Sequence, residues 1–317
     1  MSLEPDQFEQ DSAYGEELST YSASLTSSAY NFPESHGRKY HSYKAGRYFM
    51  PNDDQEIDRL DVHYALVRRI MDGKLNLAPI ADNIERAIDL GTGTGLWAIN
   101  FADKHEKAYI IGNDLSPIQP GWVPANVKFL IDDIEAPWGY EQEPFDYVHA
   151  CLLIGAIKDF PKLMRQTFTC TKPGGWAEFQ DWDIELYSQD DTYPQECALR
   201  KWDDLVIEGI RASGSEPHLG MHLEQWMKDA GFVDVTAVKT PVPVGNWPKD
   251  KLLKEMGVLN HIQLSEALEA VSLGTMINMG WTYDEIQTFL VDVRNDLNSP
   301  AIHTIYDFYI VYGRKPE

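Results

Sequence analysis

The sequence predicts an α/β domain, a mainly parallel sheet covered by helices on both faces. Three observations carry that prediction. Short apolar runs recur at 87–90, 109–112, 127–131, 145–150 and 176–180, with helical segments fitting between them at 96–104 and 159–170. Apolar runs of that length, separated by crossover helices, are the pattern of strands buried on both faces. Four of the runs end in acidic or glycine-containing turns, which places polar groups along one edge of the sheet. The first run leads straight into Gly91-Thr-Gly-Thr-Gly95, a loop whose glycines tolerate φ > 0 and lack the Cβ atoms that hold a ligand off the backbone.

The elements follow in order. Residues 1–35 are rich in Ser, Tyr, Glu and Asp and lack apolar periodicity, which predicts a mobile acidic tail. From His36 to Pro51 aromatics and cations crowd together as an arm. Asn52-Asp53-Asp54 then starts an amphipathic helix over 55–72, with Ile57, Leu60, Tyr64, Val67 and Met71 on one face. Residues 36–80 therefore read as arm and helix, and 81–181 as the ligand-binding core. Beyond 181 the alternation lapses. Helices are expected at 199–213, 219–230, 249–279 and 284–298, and strands at 231–240 and 306–313. The late strands extend the same sheet, while 182–230 and 245–300 form a helical lid over the substrate region, with Met276, Ile277 and Met279 in the lid's core. One elaborated domain over 36–317 is the expectation.

Composition narrows the function. No apolar run approaches the ~20 residues of a membrane helix, and the first 37 residues hold no Lys or Arg, against a targeting presequence. The expected address is the cytoplasm, or the nucleus. Cys151, Cys170 and Cys197 lack metal-ligand spacing and read as reduced thiols, so no metal is expected. A net charge of −23, from 50 acidic against 27 basic residues, repels phosphate backbones and disfavours nucleic acid. It suits a small neutral or cationic substrate, or a protein partner.

The glycine loop then selects its ligand. A dinucleotide loop reads Gly-x-Gly-x-x-Gly; this one reads Gly91-x-Gly93-x-Gly95, with Asp89 two positions ahead. A carboxylate there suits an ammonium group and repels a pyrophosphate, which points to the amino-acid end of S-adenosylmethionine. Asp114 ends the second strand, where a carboxylate accepts both ribose hydroxyls. Asp132-Asp133-Ile134 ends the third, where a carboxylate can take the adenine amino group and Ile134 can flank the ring.

With these pieces in place the chain resembles the seven-stranded Rossmann-like S-adenosylmethionine-dependent methyltransferases, and within them the LaeA-like fungal group. The resemblance rests on Arg38-Lys-Tyr-His-Ser-Tyr43, Leu90-Gly-Thr-Gly-Thr-Gly-Leu-Trp97, Asp114-Leu-Ser-Pro-Ile-Gln-Pro120, Trp122-Val-Pro124, Asp132-Asp-Ile-Glu-Ala-Pro-Trp138, Lys172-Pro-Gly-Gly-Trp176 and Val311-Tyr-Gly-Arg-Lys-Pro316. It implies methylation of a small molecule at oxygen or nitrogen in fungal secondary metabolism, with S-adenosylhomocysteine as by-product. The alternative it implies is a regulator acting with velvet-type protein partners, with weak methyl transfer; a third is a different reaction, such as a cyclisation, on the same fold. The expected cofactor-binding set is Tyr43, Arg47, Tyr48, Asp89, Gly91, Thr92, Gly93, Gly95, Asp114, Leu115, Asp133, Ile134, His149 and Ala150. One departure stands out: where the family commonly carries Arg after a His-Ala or His-Ser pair, this chain has Cys151.

Several residues keep two readings. Asp89 either meets the cofactor or caps the following helix. Tyr43, Arg47 and Tyr48 either close over the cofactor, with Arg47 on its carboxylate, or anchor the arm by packing. Trp97 and Trp138 read as core or wall. His149 is the candidate base or positioning group. With Cys151, Trp182, His218 and His222 it forms the group that either touches the acceptor or merely packs.

Overall fold

The computed structural model describes residues 29–317. A hairpin of β1 (Glu34–Ser35) and β2 (Arg38–Lys39) leads into helix α1 (Asp54–Ile70). Then follow β3 (Arg86–Leu90), α2 (Leu96–Lys104), β4 (Tyr109–Asp114), β5 (Val127–Ile131), β6 (Phe145–Cys151), α3 (Phe160–Cys170) and β7 (Thr171–Tyr187). The second half comprises α4 (Ala198–Ala212), α5 (Leu219–Asp229), β8 (Val233–Val244), α6 (Lys251–Met276), α7 (Tyr283–Leu297) and β9 (Thr304–Arg314). The large sheet has seven strands in the order β5-β4-β3-β6-β7-β9-β8. Strands β3 to β7 pair in parallel, and β9 runs antiparallel to both β7 and β8. This is the seven-stranded, mainly parallel α/β sheet that the sequence predicts.

The order decides where a ligand sits. From β3 the chain steps outward through β4 to β5, then returns to the other side of β3 as β6. The crevice at that reversal, beyond the carboxyl ends of the strands, is where open α/β sheets bind ligands. Asp89 of β3 and His149 of β6 are register partners at that crevice.

Three hydrophobic clusters cover the sheet. Trp97, Ala98 and Phe101 of α2 pack on Ala87, Ile110 and Tyr147. Leu163 and Met164 of α3, with Leu223 and Met227 of α5, cover Val148, Ala177 and Val311. The third cluster joins Leu66 and Val67 of α1 to Trp202, Leu268, Leu290 and Phe308. Each such buried Leu, Ile or Phe contributes about 1.5–3 kcal/mol.

The arm differs from its expectation. Ala29 is buried and its carbonyl accepts the Ser42 hydroxyl at 2.7 Å, while the hairpin crosses the boundary drawn at residue 35. Residues 29–35 thus belong with the folded arm; the remainder of the expected acidic tail, 1–28, lies outside the described residues. Two-residue strands leave no periodic signature, which hid the hairpin. Asp53 ties the arm to the helix behind it. It caps α1 by accepting from Glu56 N–H at 3.2 Å, and takes two bonds from the Arg38 guanidinium at 2.6 and 2.8 Å.

Candidate active site

The glycine loop owes its path to close approaches. Gly91 has φ 66, and a Cβ there would lie 2.8 Å from Leu153. Gly95 has φ 79 and begins α2; its Cβ would meet the Phe129 ring at 2.4 Å. Between them Gly93 N–H donates to Asp114 Oδ2 at 2.9 Å, and Ser116 N–H donates to Asp114 Oδ1 at 2.9 Å. Each carboxylate oxygen keeps a second lone pair for a ligand hydroxyl. Desolvation pushes the Asp114 carboxyl up to about 6, the two backbone donors pull against it, and Asp89 adds a smaller upward push.

A cleft of about 170 Å³ runs over this loop between the strand ends and the overlying arm and α1. Of the expected cofactor-binding set, Arg47, Tyr48, Asp89, Gly91, Thr92, Gly93, Asp114, Leu115, Asp133, Ile134 and His149 line it, as does Cys151 of the expected acceptor group. Order along the cleft follows the strands: Asp89 at the β3 end, Asp114 at β4 and Asp133 beyond β5.

At the β3 end Asp89 is buried and accepts twice. Thr92 Oγ1–H donates at 2.6 Å and His149 Nδ1 lies 2.7 Å away. Asp89 therefore does not cap α2, whose first residue lacks a side-chain cap. The His149 ring stacks flat on Trp97, 3.8 Å between centroids and 2° apart. With Nδ1 turned to the carboxylate, the buried Nε2 makes no hydrogen bond within the protein. His63 of α1 is wired the opposite way. Its Nε2 accepts the Trp182 indole N–H at 2.9 Å, leaving Nδ1 to carry the proton. Burial, helped by Arg59, pushes the His63 imidazolium down to about 3, so the ring stays neutral.

At the far end Asp133 accepts from Lys44 Nζ at 2.7 Å and from Glu135 N–H at 2.9 Å. Burial pushes its carboxyl up, but Lys44, the backbone donor and Arg47 together hold it below the usual range. Arg47 stands 2.9 Å from Glu135 and 3.8 Å from Asp133. This corrects one expectation. Arg47 sits at the Asp133 end of the cleft, away from Asp89, where the sequence predicts the cofactor's carboxylate.

Other expected residues also lie elsewhere. Tyr43 is absent from the cleft wall; its carbonyl takes His41 Nδ1 at 2.9 Å, which makes it an anchor of the arm. Gly95 serves the packing against Phe129, and Ala150 is buried in β6 between Leu90 and Phe179. His218 Nδ1 pairs with Asp183 at 2.8 Å, and His222 stacks on Trp226. Neither histidine lines the cleft. Trp182 is set behind it, in contact with His63. Trp97 is a wall of the cleft, and Trp138 belongs to the core. Leu60, His63 and Tyr64 of α1 and Gln180 of β7 were not singled out as site residues, yet all four face the cleft. The helical period showed that α1 buries one face, without showing against what.

The loop spacing, the three strand-end carboxylates and the sheet order decide between nucleotide ligands, and comparison with known proteins agrees. The family model described as a methyltransferase domain matches residues 62–237. The chain belongs to the methyltransferase family. As a methyltransferase of this family it uses S-adenosylmethionine, and the open glycine loop and the spare acceptor capacity of Asp114 fit that cofactor. The methyltransferase pytC of Aspergillus terreus is 40% identical over 92% of this chain and 91% of its own length. The secondary metabolism regulator LAE1 of Cochliobolus heterostrophus is 31% identical over 89% of this chain and 94% of its own. Among solved structures, the phosphoethanolamine N-methyltransferase 2 of Haemonchus contortus in complex with S-adenosyl-L-methionine aligns with a TM-score of 0.51. It shares 14% identity and covers 97% of this methyltransferase and 76% of that chain, a likeness of fold. No helix among the described residues of the methyltransferase is long and apolar enough to cross a membrane.

Proposed function

We propose that this methyltransferase modifies a small molecule, at oxygen or nitrogen, in fungal secondary metabolism. The observation that carries the reading is the roof over the reacting end of the cleft. Leu60, His63, Tyr64 and Val67 of α1, with Tyr48 and Met50 of the arm, line the same cleft as Asp89, His149, Cys151 and Gln180. A roofed site favours an acceptor small enough to be enclosed. The relation to pytC supports the same reading. The relation to LAE1, a secondary metabolism regulator, favours a second one, a regulatory role, for which the family resemblance implies a velvet-type protein partner.

S-adenosylmethionine supplies a methyl group already activated on a sulfonium. The protein's share is to hold the acceptor in line and keep water out, which is worth several kcal/mol of the barrier. Trp97 and Asp89 fix the His149 ring, and its Nε2 is the group that takes a proton from a hydroxyl or ammonium acceptor. His63, neutral and protonated on Nδ1, offers a donor instead. Cys151 is kept as a thiol, pushed well above its ordinary value by burial among Asp181, Asp89 and Glu178. It adds no charge where the family commonly carries Arg.

The test is incubation with methyl-labelled cofactor and a fungal metabolite extract, read by mass spectrometry. A metabolite heavier by one methyl group is the expected result. Label found only on protein, together with a stable heteromer on gel filtration, would replace this reading with the regulatory one.

A further inference from the structure

Behind the cofactor cleft lies a second cavity of about 100 Å³. Tyr48, Met50 and Leu152 line both spaces and so form their common wall. Leu152 has φ 58, a left-handed conformation that is unfavourable for a residue with a Cβ. Such strain persists where the surroundings over-determine it. Here Leu152 N–H donates to Gln180 O at 3.0 Å, and the next residue, Leu153, donates its N–H to the buried Asp181 at 2.6 Å. The Leu152–Leu153 backbone is therefore held against β7 at the boundary of the two spaces.

The chemistry of the second cavity is uniform. Phe49, Trp182, Trp202 and Tyr306 contribute rings, and the polar side-chain atoms of Trp182, Trp202, Tyr306, Arg59 and Gln263 have partners within the protein. Trp202 Nε1–H donates to Ser272 Oγ at 2.8 Å and Tyr306 O–H to Asp203 at 3.3 Å. Arg59 is bound twice by Glu56, at 2.6 and 2.8 Å, and donates to Gln263 Oε1 at 3.1 Å. That ion pair is buried and internally neutral. Asp203, whose carboxyl burial holds well above its ordinary range, accepts from Tyr306 and is not among the residues that line the cavity. A charged occupant would lose its hydration here and gain no counter-ion. A flat aromatic one would find ring faces and edges on several sides.

Resting on the function proposed above, we infer that this second cavity holds the methyl acceptor and takes an uncharged, aromatic body, whose nucleophile reaches past Leu152 and Tyr48 into the cofactor cleft. Amine cations and phosphorylated metabolites are poor occupants.

The probes are 2-naphthol and 2-naphthyl phosphate, titrated at pH 7 against the protein saturated with S-adenosylhomocysteine and followed by tryptophan fluorescence. Naphthol is expected to bind at least about tenfold more tightly than the phosphate, a difference of about 1.4 kcal/mol. Ala267→Phe, which fills the cavity from α6, is expected to weaken naphthol at least about tenfold and leave S-adenosylhomocysteine affinity unchanged within about twofold. Val271→Trp makes the same test from one turn further along α6, should the first variant not fold. Equal binding of the two probes, competition between naphthol and S-adenosylhomocysteine, or naphthol binding unaffected by filling the cavity would each overturn the inference. If naphthol passes every arm while no extract metabolite is methylated, the function fails and the cavity's chemistry stands; the reverse result fails the cavity alone.

Discussion

At the scale of single residues, Asp114 and His149 carry the sharpest consequences. Ligand hydroxyls donate most strongly to Asp114 while its carboxylate is ionised. Its carboxyl is raised to about 6 in the free protein, so the ionised fraction falls as pH drops through 6. S-adenosylhomocysteine affinity is expected to weaken about tenfold between pH 7 and pH 5, by linkage to that one proton. Asp114→Asn is expected to weaken binding about 10–100-fold at pH 7, the worth of hydrogen bonds to a charged group, and to flatten the pH dependence. Calorimetry at the two pH values checks both, and an unchanged slope in the variant would remove Asp114 from the binding site. For His149 the split between binding and turnover is the informative quantity. His149→Asn is expected to lower kcat about 10²–10⁴-fold, the usual contribution of a positioned base, with cofactor affinity held within about threefold. A variant that turns over normally would make the Asp89–His149 contact purely structural.

Among the elements, the loop between β3 and α2 was the most legible from sequence, because its geometry is local. Three glycines at alternate positions and a strand-end carboxylate fix its path wherever the rest of the chain goes. Features set by tertiary placement were not legible. The arm's composition marked Arg47 as a ligand group without revealing which end of the cleft the arm crosses, and Glu135 claims it there. His218 lost its expected role in the same way, to an aspartate 35 residues earlier in the chain. Gly95 shows that a motif residue can serve packing. Its φ of 79 and the Phe129 ring 2.4 Å from a built Cβ leave no room for alanine. Gly95→Ala is expected to cost about 2–4 kcal/mol, adding left-handed strain to overpacking. Phe129→Leu in the same chain should restore part of that loss but leave the backbone term. Urea unfolding of the single and double variants measures it; equal losses would show that the ring contact is irrelevant.

For the whole molecule, the question is whether the helices after β7 form a lid of separate stability. The packing argues for one cooperative unit over the described residues. A single cluster joins α1 to strands β7, β8 and β9 and to helices α4, α6 and α7, through Leu66, Trp182, Trp202, Val242, Leu268, Leu290 and Phe308. Polar links follow the same route: Gln55 of α1 donates to Glu266 of α6 at 2.9 Å, Arg59 to Gln263 at 3.1 Å, and Arg69 pairs with Glu255. Helix α1 in turn roofs the cofactor cleft, so the strand ends, the roof and the late helices share their stability. Unfolding is therefore expected to show one thermal transition, with tryptophan fluorescence and far-UV circular dichroism coincident. The sequence holds 9 tryptophans, and Trp97, Trp182 and Trp202 report from the cleft and from the helical half. S-adenosylhomocysteine at about 100 times its Kd adds about 2.7 kcal/mol, which should raise the midpoint seen by both probes together by about 5–10 °C. Two transitions, with only the earlier or the later one moved by the ligand, would instead divide the chain into a cofactor-binding half and a helical half that melts alone.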